Sequence, residues 1–202
     1  MRKSVWQGFA GIMMLSALTV WSVCAQADTT PGAVVSGVRF EPTQRVANVD
    51  LQLNGAGLRK KLFISVYAMG LYVPSKAASI ELLNKQTGPR RILIATLRDL
   101  SGEQFEDALV KAINKRQEPA KLAKLQARLD EFSRTLLSIK TLPEGARIQL
   151  DWLPDSGTVL TVNGTQQGKP IAGEDFYQAL LDIWLGGDPI QDSLKTDLLA
   201  KP

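Results

Sequence analysis

The sequence predicts an α+β fold, with helices packed on one face of a largely antiparallel sheet. Three observations carry that expectation. Strand-like runs occupy the first half and helix-like runs follow, with a hairpin among the helices rather than a βαβ alternation. Residues 61–73 and 91–97 are apolar on both of their alternation sets, as strands covered on both sides are. Residues 147–153 alternate cleanly through Ile148, Leu150 and Trp152, and a partner run at 158–162 ends on Asn163-Gly164, a strong tight-turn pair.

Taken in order, the chain opens with Arg2 and Lys3, runs apolar from about Phe9 to Val23, and reaches Ala25-Gln26-Ala27. A basic start, a short apolar core and an A-x-A site describe a secretory signal peptide over residues 1–27. The stretch is broken by Gly11, Ser16, Thr19 and Ser22 and is short against the about 20 residues of a membrane-spanning helix. Cleavage near Ala27 is therefore expected, with a periplasmic or otherwise exported product and no stable transmembrane anchor. Residues 28–33 read as a flexible leader and 34–202 as a single domain.

Within that domain, 34–40 and 49–53 read as early strands, and Asn54-Gly55-Ala56-Gly57 as a turn or a close backbone approach. Residues 77–85 suggest a short helix between the two doubly apolar strands. Ser101-Gly102-Glu103-Gln104 has the spacing of a capping box and starts a helix with Phe105, Leu109, Ala112 and Ile113 on one stripe. A longer helix over about 120–139 aligns Leu122, Leu125, Leu129, Phe132 and Leu136. Residues 174–185 form another helix, stopped by Gly186-Gly187-Asp188-Pro189, and 192–199 a last short one. The second covered face of the 61–73 strand calls for an extra layer or a bound ligand.

Composition narrows the chemistry. Among 202 residues there are 24 Lys+Arg, 20 Asp+Glu, one Cys and no His. Without histidine no Ser-His-Asp triad, Cys-His dyad or imidazole base is available. Cys24 stands alone and falls within the expected signal, so a His/Cys zinc site is excluded as well. No metal ligand, cofactor or catalytic residue is assigned. Near-balanced, dispersed charge argues against a nucleic-acid partner.

Three ordered segments then matter together: Leu53-Asn54-Gly55-Ala56-Gly57-Leu58-Arg59-Lys60-Lys61 running into Val66-Tyr67-Ala68-Met69-Gly70-Leu71-Tyr72; Leu100-Ser101-Gly102-Glu103-Gln104-Phe105; and Gly173-Glu174-Asp175-Phe176 through Trp184-Leu185-Gly186 to Leu194-Lys195. In this order and spacing, from about residue 48 to residue 199, the chain resembles the chalcone isomerase-like superfamily, especially its exported bacterial branch. The resemblance implies an open-faced β-sandwich, a large antiparallel sheet with helices on one side.

It also implies a site. In plant enzymes of this family an arginine two residues after the GAG segment binds an anionic ligand oxygen, and fatty-acid-binding relatives hold a carboxylate with it. That position is Arg59 here, and a guanidinium fork suits either oxyanion. The hydroxyl-bearing strand position falls on Tyr67. The catalytic tyrosine falls on Phe105, the lysine and asparagine that follow on Ala108 and Ala112, and a polar pair on Ile183 and Trp184. One arginine, one tyrosine and apolar lining (Phe105, Leu109, Ala112, Ile183 and Trp184) describe a cleft for an amphipathic anion, such as a fatty acid, better than a polar catalytic site. The alternative is an intramolecular lyase acting on an enone, because such cyclisations need mainly orientation and oxyanion stabilisation.

Overall fold

The computed structural model describes residues 32–200. The signal peptide expected over 1–27 and most of the leader lie outside the described residues.

Seven strands form one antiparallel sheet. They are β3 (Thr43–Val46), β4 (Val49–Lys61), β5 (Ile64–Val73), β6 (Arg90–Thr96), β9 (Arg147–Leu153), β10 (Gly157–Val162) and β11 (Thr165–Ile171). Across the sheet the order is β11-β10-β9-β6-β5-β4-β3. Two short strands, β1 (Ala33–Val35) and β2 (Val38–Phe40), form a separate hairpin, and β7 (Leu100–Ser101) pairs with β8 (Thr141–Leu142). The helices are α1 (Ile80–Asn84), α2 (Gly102–Arg116), α3 (Pro119–Ser138), α4 (Glu174–Leu185) and α5 (Asp192–Leu198). This is the α+β sheet-and-helix architecture that the strand and helix patterns predict.

The period-2 geometry of β5 sorts its side chains between two cores. Met69 and Leu71 join Ile92, Ile94, Ile148 and Leu150 under the apolar stripes of α2, α3 and α4. Ala68 and Tyr72 point the other way, into a smaller core with Leu93, Leu51, Leu53 and Phe40. The extra layer that this second face calls for is the β1–β2 hairpin. Its Phe40 ring fits over Gly70, where an added Cβ would come within 2.6 Å of the ring. The Tyr72 hydroxyl donates to the Glu41 carbonyl at 3.0 Å and fastens the layer.

Several expectations change in detail. Residues 34–40 are a hairpin turned at Ser36-Gly37, not one strand. Asn54-Gly55-Ala56-Gly57 is not a turn: β4 runs straight through it, with its register against β5 shifting between Leu53 and Gly55. The glycines mark the close approach instead. A Cβ on Gly55 would lie 2.2 Å from the Asp197 carbonyl oxygen, and one on Gly57 would meet Leu194 and Asp197, so α5 lies directly on this bare strand. The strand expected at 61–73 begins at Ile64, because Leu62 and Phe63 form a two-residue turn and are exposed. β3 and β11 lack the apolar signature of strands. Residues 165–171 read TQQGKPI and are stabilised by edge pairing to β10.

The capping box at Ser101 is fully formed. Its hydroxyl accepts from the Gln104 amide at 3.0 Å and the Gln104 side chain accepts from the Ser101 amide at 3.0 Å. Asn163-Gly164 turns the β10–β11 hairpin with both residues at positive φ, 50° and 82°.

Candidate functional site

Arg59 lies on β4 directly opposite Tyr67 on β5. Because β3 pairs only with Val49 to Gln52, the outer edge of β4 beyond that point has no strand partner. Gln191, the residue preceding α5, occupies this edge. Its Oε1 accepts from the Lys60 amide at 2.8 Å and its Nε2 donates to the Leu58 carbonyl at 2.8 Å, as the peptide of a neighbouring strand would. The same Oε1 accepts from Arg59 Nη1 at 3.3 Å, and Nη1 also donates to the Lys60 carbonyl. The half-buried guanidinium is thus held by two neutral oxygens. No ion pair among the described residues includes it.

Tyr67 is buried, and its hydroxyl accepts a hydrogen bond of 2.8 Å from Trp184 Nε1 on α4. Burial pushes the phenol above its ordinary range, while the Trp184 donor and the nearby Arg59 charge draw it partly back. Tyr67 therefore stays a neutral hydroxyl, a donor and acceptor rather than a base. The structure brings Arg59, Tyr67 and Trp184 into one polar chain that enters the main core.

Phe105, Leu109 and Ala112 sit on the buried face of α2, and Ile183 and Trp184 on α4. All five belong to the main apolar core together with Tyr67. The helices therefore pack directly onto the sheet here. Two cavities, of about 270 and 260 Å³, lie elsewhere: one against Arg116, Gly186 and Asp188, the other between α3 and α4 beside Lys121 and Gln178. No member of the predicted set lines either one. No group of His, Cys, Asp and Glu among the described residues is arranged to hold a metal ion.

Gln191 is the neighbour that sequence reasoning missed. A lone glutamine after a proline-containing loop carries no motif, and only the unpaired edge of β4 reveals its role. Arg90 was missed as well. Among the described residues it is the most deeply buried cation, paired with Glu174, donating to the Leu83 carbonyl at 3.4 Å and lying 5.6 Å from the Tyr177 ring centroid. Its signal was the pair Arg90-Arg91 opening an otherwise apolar strand.

A crystal structure of an Arabidopsis thaliana fatty-acid binding protein superposes with a TM-score of 0.66 at 17% sequence identity, covering 82% of this chain and 94% of that one. At that identity the likeness speaks to the fold. No curated protein matches the chain by sequence. The family described as chalcone isomerase-like matches residues 32–200, the whole of the sheet, its second layer and all five helices, and the chain belongs to that family.

Proposed function

We propose that this chain is an exported, non-catalytic binding protein for a fatty acid or a similar amphipathic carboxylate. The observation that carries the reading is the state of Arg59: a permanent charge, half buried beside Tyr67, whose partners are two neutral oxygens. A carboxylate is the better acceptor for a guanidinium, since it adds the attraction of opposite charges and can take two parallel N–H bonds from the planar fork. A ligand head group would displace the Gln191 oxygen, with the Tyr67 hydroxyl donating a hydrogen bond to the second carboxylate oxygen. The tail would part α4 and α2 from the sheet, against Phe105, Leu109, Ala112, Ile183 and Trp184. The loop between α4 and α5, with Gly186 and Gly187 together, is the segment that would have to give. A fatty-acid binding protein of the same fold supports this choice of ligand class.

The lyase alternative gains no support from the site. Phe105 brings no hydroxyl, and Tyr67 remains protonated because of its burial. Export rests on the basic, apolar and A-x-A sequence at the N-terminus.

Native mass spectrometry of the purified protein tests the proposal. The wild type should carry a co-purified lipid or take up palmitate at micromolar concentration, and Arg59→Ala should weaken uptake about tenfold or more, as loss of a charge-assisted pair implies. No uptake by the wild type, or equal uptake by the variant, would overturn it.

A further inference from the structure

The β4–β5 hairpin ends in a tip that the fold does not use. Leu62 is 87% exposed, Phe63 100% and Ile64 50%, three consecutive large apolar side chains in water. The other exposed large apolar residues among the described ones, Val34, Val49, Leu82 and Leu137, are scattered singly. Single exposed apolar residues are ordinary, whereas a contiguous cluster marks an interaction site.

The other hairpins of the same molecule act as internal controls. Three of its two-residue turns are Ser36-Gly37, Ala47-Asn48 and Asn163-Gly164, each with glycine or asparagine where φ is positive at the second position. That is ordinary turn chemistry. The β4–β5 turn has the same length but is Leu62-Phe63, and Leu62 sits at φ 56°. A leucine in the left-handed region is unusual because its side chain crowds the backbone there. Neither the turn geometry nor the core accounts for these residues.

The tip is flanked by charge of one sign. Between Asp50 and Glu81 the chain holds Arg59, Lys60, Lys61 and Lys76 and no acid. Lys60 and Lys61 are exposed and form no ion pair among the described residues. Asp192, next to the Gln191 that touches Lys60, pairs with neither lysine.

We propose that this tip docks the protein on an anionic lipid surface, with Leu62, Phe63 and Ile64 entering the head-group and acyl boundary and Lys60 and Lys61 meeting lipid phosphates. Apolar side chains ringed by lysine suit that interface, where the chains bury in the outer acyl layer and the ammonium groups stay at head-group level. A protein partner with an apolar pocket would not require the paired unbalanced lysines. Arg59 is three residues from Leu62, about 10 Å along an extended strand, so a docked tip would bring the polar chain at Arg59 to the membrane. The docking itself needs no ligand at Arg59, and each idea can fail alone.

The test is co-sedimentation of the purified protein with vesicles of phosphatidylcholine, and of phosphatidylcholine mixed equally with phosphatidylglycerol. Wild type and variants share the same N-terminus. Binding is expected on the anionic vesicles, weakened about tenfold or more by Leu62→Ser/Phe63→Ser, and about fivefold per lysine in Lys60→Ser and Lys61→Ser. Circular dichroism should be unchanged, since none of these side chains is in the core. As a second measurement, Phe63→Trp should gain fluorescence that brominated lipids quench, beyond any quenching seen in the wild type. Equal vesicle binding by the serine variants, no quenching at position 63, or a tip-dependent dimer in vesicle-free solution without vesicle binding would overturn the proposal.

Discussion

Three arginines of this chain meet three different partners, and the differences follow from where the strands place them. Arg91, on the hairpin-covered face, makes a two-pronged pair with Asp151 at 2.7 and 2.6 Å and a further bond to Gln44 at 2.7 Å. Arg90, one residue earlier and therefore on the opposite face, is 1% exposed and is paired with Glu174 on the first turn of α4. Arg59 has only neutral acceptors. The first two are structural, since removing either acid strands a guanidinium away from water. Glu174→Gln should lower stability by about 2 kcal/mol, less than a fully buried pair would lose because Glu174 itself is 41% exposed. Arg90→Met/Glu174→Gln should recover much of that loss, because an apolar side chain needs no counter-charge. Urea denaturation measures both; a double variant weaker than the single would show that the Arg90 contacts with Leu83 and Tyr177 outweigh the pair.

Among the elements, α5 is the one whose position the whole site depends on. It lies on the glycine stretch of β4, and buried Asn54 locks it there. The Asn54 side chain donates to Leu198 and Ala77 carbonyls at 2.7 and 3.0 Å and accepts from the Ala77 amide at 2.7 Å. Gly55→Ala would drive a methyl into the α5 backbone, so α5 should lift, with a cost of about 2 kcal/mol. Amide exchange over 192–198 should accelerate and the Gln191 clamp on Lys60 should loosen; unchanged exchange there would mean that α5 tolerates the intrusion. What was legible from sequence follows the same physics. Ser101 with Gln104, the stripe on α2 and the Asn163-Gly164 turn are local, so their chemistry can be read from neighbouring residues. The glycines of β4 leave a turn and a close backbone approach equally open in the sequence, because the partner that decides for the approach, α5, lies some 140 residues away. Arg59, Tyr67 and Trp184 were legible only through the family pattern, and their closure under Gln191 was not, since an unpaired strand edge leaves no mark on the residue that covers it. β11 was invisible because pairing with β10, not its own polar residues, makes it a strand.

At the scale of the whole molecule, the absence of histidine and the burial of every tyrosine set how stability responds to pH. The chain has three tyrosines, Tyr67, Tyr72 and Tyr177, all in the core. Burial raises each phenol: Tyr72 to about 12, and Tyr67 and Tyr177 also upward, the latter further by the Asp151 carboxylate. In the unfolded chain they ionise near about 10. A raised native value means that the native state keeps protons that the unfolded state releases, so the stabilisation is complete below about pH 10 and is lost as pH climbs through the native values. On the acid side, the hydrogen bond from Arg128 holds Asp175 low, and Lys115 does the same for Asp188 at the surface. Those contributions are present above the ordinary carboxylate value and are lost as pH falls from it through the lowered native values. With no imidazole to titrate between these limits, melting temperature should stay level from about pH 6 to pH 9 and fall on either side. The alkaline limb is the sharper test. Tyrosinate absorbance should stay absent as pH passes 10 and then rise together with the loss of helical ellipticity, because in this core a phenol gains access to water only when the sheet and its layers separate. Tyrosinate appearing near pH 10 with the fold intact would mean that at least one of these side chains reaches solvent in the native protein, and Tyr67, which lies opposite the half-buried Arg59, would be the one to examine first.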